Sequence, residues 1–389
     1  MNRRFLVIIF VLATGILITF TAFLFWSGGE HIGNKYLYKD KNGGVVEPVS
    51  FDEELLQKIK TLPLRKRIGQ LMIFGFSSTT PDAHIRELIE GYGVGGVNLL
   101  KRNVANATQV KKMAGELQSL TEEAGLPPMF IAVDQEGGEV NRFKFLSEKT
   151  AQMEMGSMEE AFGVARRRGG ELKNLGITMN FSPVLDYVPN TSAYLYNRTF
   201  ATTSDASVEL GVAMAKGYLD VGIIPVFKHF PGYGSIALDP HQNTALISDK
   251  EFLEKSLLVF ERALSAKPDV PIMTAHIIYP NFDSKPATLS NKFLTTILRE
   301  RFGYKGVIIT DDIEMVSARL AKSMSIPEAS VQALEAGVDI VISTYTTSLH
   351  EKIIKAIEEA VANGRLSENR INESVVRVWK LKMGAFDKI

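Results

Sequence analysis

Eight short apolar runs recur along the chain, separated by stretches with helical patterning. They are Leu71–Phe76, Val94–Leu100, Met129–Val133, Ile177–Val184, Ile223–Phe227, Val270–Ala275, Val307–Thr310 and Val338–Ser343. Each is short, continuously apolar and often β-branched, as expected of parallel strands covered on both faces. Between them, Val208, Val212, Ala215 and Leu219 fall at i, i+4, i+7 and i+11 and form one helical stripe. Ser290 is placed to cap a helix carrying Phe293, Leu294, Ile297 and Leu298, which Gly303 ends. Pro327 opens a further helix and Gly337 closes it, and Val375–Phe386 predicts a closing helix. The alternation predicts an α/β fold, a closed (β/α)8 TIM barrel over residues 51–389. A doubly wound open sheet is the alternative, but Gly91–Gly96 does not form the Gly-rich phosphate turn that such a sheet carries after its first strand.

Ahead of the barrel the pattern changes. Arg3 and Arg4 precede Phe5–Trp26, a stretch of 22 residues without a charge. At about 1.5 Å per residue a helix of that length spans a bilayer. Its apolar core exceeds the usual one of a cleaved signal peptide, so residues 1–26 predict an uncleaved transmembrane signal anchor. The positive-inside rule then leaves the arginines in the cytoplasm and everything after Trp26 outside, on a single-pass membrane protein. If the segment is cleaved instead, the protein is secreted. Residues 27–50, polar and Gly-containing, predict a tether.

Composition narrows the chemistry. With 45% hydrophobic and 23% charged residues the chain is expected to fold. Its 44 basic and 44 acidic residues cancel, which argues against a nucleic-acid partner. Cysteine is absent, which excludes disulfides, thiolate metal sites and a cysteine nucleophile. The chain is expected to act as a monomer without a cofactor.

The reactive residues fall where a barrel places its chemistry, at the C-terminal ends of the strands. Asp134, Gln135 and Glu136 follow the third run, Asp186 the fourth, Lys228 and His229 the fifth, His276 the sixth, and Asp311 with Asp312 the seventh. Arg198 lies in the loop after the fourth run, and Asp239 and His241 in the loop after the fifth. Any one of these alone is more often a salt bridge or a cap than a catalyst; their joint placement points to a site. A metal hydrolase on this barrel usually has a His-x-His pair after the first strand, where this chain has Phe74-Gly75-Phe76, so no metal is expected. Lys228 keeps a Schiff-base reaction open. Glycoside hydrolysis needs a carboxylate at the oxocarbenium-like carbon and an acid for the leaving oxygen. Asp311 can supply the first, and His241 oriented by Asp239 the second.

The segment from Ile297 through Lys305-Gly306-Val307-Ile308-Ile309-Thr310 to Asp311 resembles the nucleophile signature of glycoside hydrolase family 3. Val133–Gly138, Lys228–Gly232, Met273–His276 and Pro286–Ser290 resemble its β-N-acetylglucosaminidase branch, in order, from about residue 55 to 386. The resemblance implies a retaining exo-β-N-acetylglucosaminidase acting on peptidoglycan fragments. It makes Asp311 the nucleophile and His241 the acid/base held by Asp239. Asp134, Arg142, Arg198, Lys228 and His229 would then hold the sugar. Three positions depart from the family pattern: Tyr233 for a histidine, Pro240 inside the dyad, and Glu139 for an arginine. They keep a non-catalytic muropeptide-binding barrel in view, beside a phosphorylase or a β-glucosidase of the same family. The chain is expected to lack the extra C-terminal domain of the larger members.

Overall fold

The computed structural model describes residues 38–39, 45–46, 50–200, 203–237, 239–240, 242–267, 269–319 and 323–386. The chain divides into two units. In Met1–Phe51 the described backbone is an antiparallel pairing of Tyr38–Lys39 with Val45–Val46. The expected anchor, residues 1–26, and most of the tether lie outside the described residues, among which no helix is long and apolar enough to cross a membrane.

Asp52–Ile389 is built on one parallel sheet. Its strands are β1 (Met72–Phe74), β2 (Gly96–Leu99), β3 (Phe130–Val133), β4 (Met179–Asn180), β5 (Ile224–Pro225), β6 (Phe227–Phe230), β7 (Ile272–Thr274), β8 (Ile308–Asp312) and β9 (Ile340–Ser343). Their spatial order is β6-β7-β8-β9-β1-β2-β3-β4-β5. The two ends of that order, β5 and β6, are separated in the chain by Val226 alone. Leu185 N also donates to Lys228 O at 2.6 Å, and Val226 N to Ser182 O at 3.0 Å. The sheet is therefore a nearly closed, barrel-like α/β sheet. All eight apolar runs contain strand, because each strand is covered on both faces and has no polar side to show.

Helices follow the strands in turn: Ala83–Tyr92, Ala107–Glu123, Met158–Asn174, Ser204–Asp220, Lys250–Ala266, Lys292–Arg301, Ile326–Ala336 and His350–Ala362, with Glu368–Phe386 closing the chain. Val208, Val212 and Ala215 are buried, as their stripe requires. Ser290 Oγ accepts from Phe293 N at 3.3 Å, and Gly303 takes a φ of +65° beyond the helix end. The last helix begins two turns earlier than the apolar pattern indicated, at Glu368, because its first turns carry Asn372 and Ser374, which are buried and hydrogen bonded.

Two registers are irregular, on β6 and β8. Phe227 pairs with Ile272 and Phe230 with Thr274, so three steps on β6 oppose two on β7. Ile309 pairs with Ile340 and Asp312 with Ile342, again three steps against two. Each is a β-bulge, which turns a side chain out of the strict alternation. Lys228 and His229 lie within the first, and Asp311 within the second. The pair Lys228–His229 is therefore inside a strand segment rather than after one, as the apolar run ending at Phe227 had implied.

Candidate active site

A cavity of about 200 Å³ opens at the C-terminal ends of the strands. Its walls include Asp134, Arg142, Arg198, Lys228, His229, Asp311 and Pro240. Five of the eight site residues expected from sequence are thus joined there by Asp311. Asp239, next to Pro240, is described; His241 lies outside the described residues.

Buried charge dominates one wall. Lys228, 1% exposed, places Nζ 2.9 Å from Asp134 Oδ1 and 2.6 Å from Glu136 Oε1. Arg198 grips Glu136 with two bonds, Nε to Oε2 at 2.9 Å and Nη2 to Oε1 at 2.8 Å. Burial alone would push the Glu136 carboxyl up, but the Arg198 and Lys228 cations outweigh it and hold it far below its ordinary value. The same carboxylate outweighs the burial of Arg198 and Lys228 and holds both cations above theirs. All remain charged across the working pH range. Arg142 reaches toward Asp134 at 4.0 Å, and its Nε is buried without a hydrogen-bond partner. It is delivered by a hairpin, Gln135–Gly137 against Val140–Asn141, in which Gln135 Nε2 donates to Asn141 Oδ1 at 2.6 Å.

Asp186, fully buried, fixes the next element. Its Oδ2 accepts from both the amide and the Nδ1 of His229 at 2.8 Å, and its Oδ1 from Tyr233 N at 2.7 Å. Nδ1 therefore carries a proton, and His229 Nε2 is left to serve the cavity. Gly232, at a φ of +123°, has no room for a side chain, since a Cβ would lie 2.1 Å from Ser256 Oγ. Tyr233 packs edge-on to His229, with centroids 5.2 Å apart, and its hydroxyl accepts from His276 N at 3.0 Å. Burial first, then the Asp311 carboxylate, holds that phenol well above its ordinary pKa. Tyr233 thus supplies a protonated hydroxyl that ties the loop to the segment after β7.

Asp311 is part-exposed at the end of β8, and its Oδ1 accepts from Asp312 N at 2.8 Å. Asp312 is buried; its carboxyl receives the Thr344 hydroxyl and, at 3.0 Å, Glu314 N. Burial pushes it up to about 7 against those bonds. His276, expected at the rim, is fully buried, with Nδ1 2.8 Å from Thr288 Oγ1 and Nε2 3.0 Å from Asp312 O. Tyr194 spans to the loop that bears the expected dyad. Its N donates to Ile236 O at 2.8 Å and its hydroxyl bonds to the Asp239 carboxylate. Burial and that carboxylate raise the Tyr194 pKa. Glu139 is exposed and accepts from Asn197 Nδ2 at 2.8 Å.

Sequence reasoning named Glu136 and Asp186 by place but gave them no role. The signal available was their position directly after strands, beside Lys228 and His229, which no apolar core tolerates unpaired. Tyr194 and Tyr345, which also lines the cavity, carried no signal. Among the described residues no group of three or more His, Cys, Asp and Glu is arranged to hold a metal ion.

The comparisons with known proteins agree on one kind of molecule. Residues 63–381 match the glycosyl hydrolase family 3 N-terminal domain. The chain is 34% identical to a β-hexosaminidase of Nitrosomonas eutropha over 79% of its own length and 90% of the relative's. It is 31% identical to β-hexosaminidase A of Pseudoalteromonas piscicida over 78% of this chain, but it spans only 56% of that protein. A solved glycoside hydrolase family 3 β-N-acetylglucosaminidase from a Paenibacillus species superposes with a TM-score of 0.81 at 34% identity, covering 84% of this chain and 64% of that one.

Proposed function

Since the chain belongs to glycosyl hydrolase family 3, we propose that it is a retaining exo-β-N-acetylglucosaminidase, with the nearly closed sheet read as a (β/α)8 barrel. The observation that carries this is the meeting of Asp311, Asp134, Arg198 and Lys228 around one cavity, with the buried Glu136 bonded to both cations. Asp311 attacks the anomeric carbon and forms the glycosyl-enzyme. His241, oriented by Asp239, gives its proton to the leaving oxygen and later takes one from the attacking water. Asp134, Arg142, Arg198, Lys228 and His229 hold the sugar hydroxyls, and a ring fixed in this way needs little further ordering to react. Relatives named as β-hexosaminidases support the sugar class, and the family resemblance supports terminal N-acetylglucosamine on peptidoglycan fragments as the natural target.

The deciding measurement is release of 4-nitrophenol from its β-N-acetylglucosaminide. Asp311→Asn is expected to lower kcat by roughly a thousandfold or more. Full activity in that variant removes Asp311 from the nucleophile's role. His241→Ala should slow glycosides with poor leaving groups far more than activated ones; equal losses would remove the acid role.

On location, residues 1–26 are read as a single-pass anchor with the barrel outside the cytoplasm. The full chain should then resist alkaline extraction from membranes, and its release would refute the anchor.

A further inference from the structure

Asn98 is the one polar side chain of β2, set between Val97 and Leu99 in a strand buried along its whole length. It is 4% exposed and lines the cavity that holds Asp311. Its Oδ1 is buried, and no group among the described residues bonds to it. Such an oxygen has lost water without gaining a donor, which weakens the folded state. Two strands away the same residue type is fully engaged. Asn180 Nδ2 donates to Gln135 O at 2.9 Å, and its Oδ1 accepts from Gln135 N at 3.0 Å. An apolar residue would fill the place in β2 without that cost, so the idle amide serves something other than the fold.

The parallel register gives its depth. Asn98 stands beside Ala132 and Leu99 beside Val133, so Asn98 is set two residues further into the barrel than Asp134. The cations of the wall are already committed, Lys228 to Asp134 and Glu136, and Arg198 to Glu136. Among the described lining residues, Arg142 Nε is the other side-chain atom buried without a partner. The cavity thus offers an idle acceptor and an idle donor. A sugar hydroxyl, which donates and accepts through one atom, can serve either.

We propose that Asn98 is a specificity-determining residue that reads one hydroxyl of the pyranose held in the cavity, its Oδ1 accepting the hydroxyl's hydrogen. A site built to bond a substrate hydroxyl discriminates strongly against the analogue that lacks it. This rests on the hydrolase reading above and adds to it a contact that separates sugars differing at a single hydroxyl.

Asn98→Leu keeps the size of the side chain and removes the amide. In the full-length protein, kcat/KM is measured for 4-nitrophenyl β-N-acetylglucosaminide, its 3-, 4- and 6-deoxy analogues, and the matching β-glucoside. The variant should lose about tenfold on the parent donor, the scale of one buried hydrogen bond. On one deoxy donor it should be no slower than the wild type. Its urea midpoint should be at least that of the wild type, because the idle oxygen has left the core; a less stable variant makes Asn98 a structural residue and overturns the proposal. An unchanged rate on the parent donor, or the same proportional loss on every donor, also overturns it. A loss that vanishes only on the glucoside gives the amide to the acetamido N–H and overturns the hydroxyl. If the wild type hydrolyses none of the donors, the hydrolase reading fails alone, and calorimetry with N-acetylglucosamine and its deoxy sugars decides. Binding that Asn98→Leu weakens for all but one of those sugars keeps the contact. No binding of any sugar overturns both.

Discussion

Asp311 and Asp312 are adjacent in the chain and differ in circumstance. Asp311 faces the cavity, while Asp312 is buried and pushed up to about 7. A carboxyl whose folded-state pKa lies above its unfolded value of 3.8 favours folding while protonated. Between about pH 4 and pH 7 the native state holds a proton that the unfolded state has lost, so stability declines as pH rises through that window. Asp312→Asn removes the titration. Urea unfolding should therefore show the variant gaining on the wild type between pH 5 and pH 8, and parallel curves at both pH values would disprove the assignment. None of this was legible in the sequence, where an Asp-Asp pair looks symmetrical. What distinguishes the two is burial, which raises Asp312 against the bond from a Thr344 hydroxyl 32 residues away.

At the scale of elements, the strands were legible and their bulges were not. Apolar runs mark a strand covered on both faces wherever it lies, but a one-residue excess in register leaves no trace in hydropathy. Both β6 and β8, which send residues into the cavity, are bulged, which explains why Lys228 and His229 could be placed near the site but not inside β6. The opposite end of the sheet is held by a different device. Asp339, fully buried just before β9, accepts from Arg299 Nη2 at 2.6 Å, Arg377 Nη1 at 3.0 Å, Ser374 Oγ at 2.5 Å and Ile308 N at 3.0 Å. It ties the closing helix to the starts of β8 and β9. Asp339→Ala takes a shared carboxylate from the part-buried Arg299, Arg370 and Arg377 and leaves Ile308 N without its acceptor, which should cost about 1–3 kcal/mol in chemical denaturation. The catalytic constants of the folded protein should stay the same, because the residue is at the wrong end of the strands to touch substrate. A loss of kcat without a loss of stability would contradict that division.

For the whole molecule, the alternation of runs and helices indicated the sheet and its order, since eight apolar runs each followed by a helix leave few ways to pair. The site was legible as a set of positions, because charged residues directly after buried strands are costly unless they serve a cavity. Which partner each one grips was not legible, because the bonds of Glu136 and Asp186 join segments 43 to 92 residues apart. The long bonds have a further result. Asp134, Glu136, Arg198 and Lys228 carry two charges of each sign and sum to zero, and each lies within bonding reach of another. Opposite charges packed this closely project almost no field beyond the wall that holds them. Added salt, which screens over about 8–10 Å, then finds little to weaken. A neutral sugar is neither drawn in nor turned away at long range, and its capture should proceed at the same rate in dilute buffer and in brine.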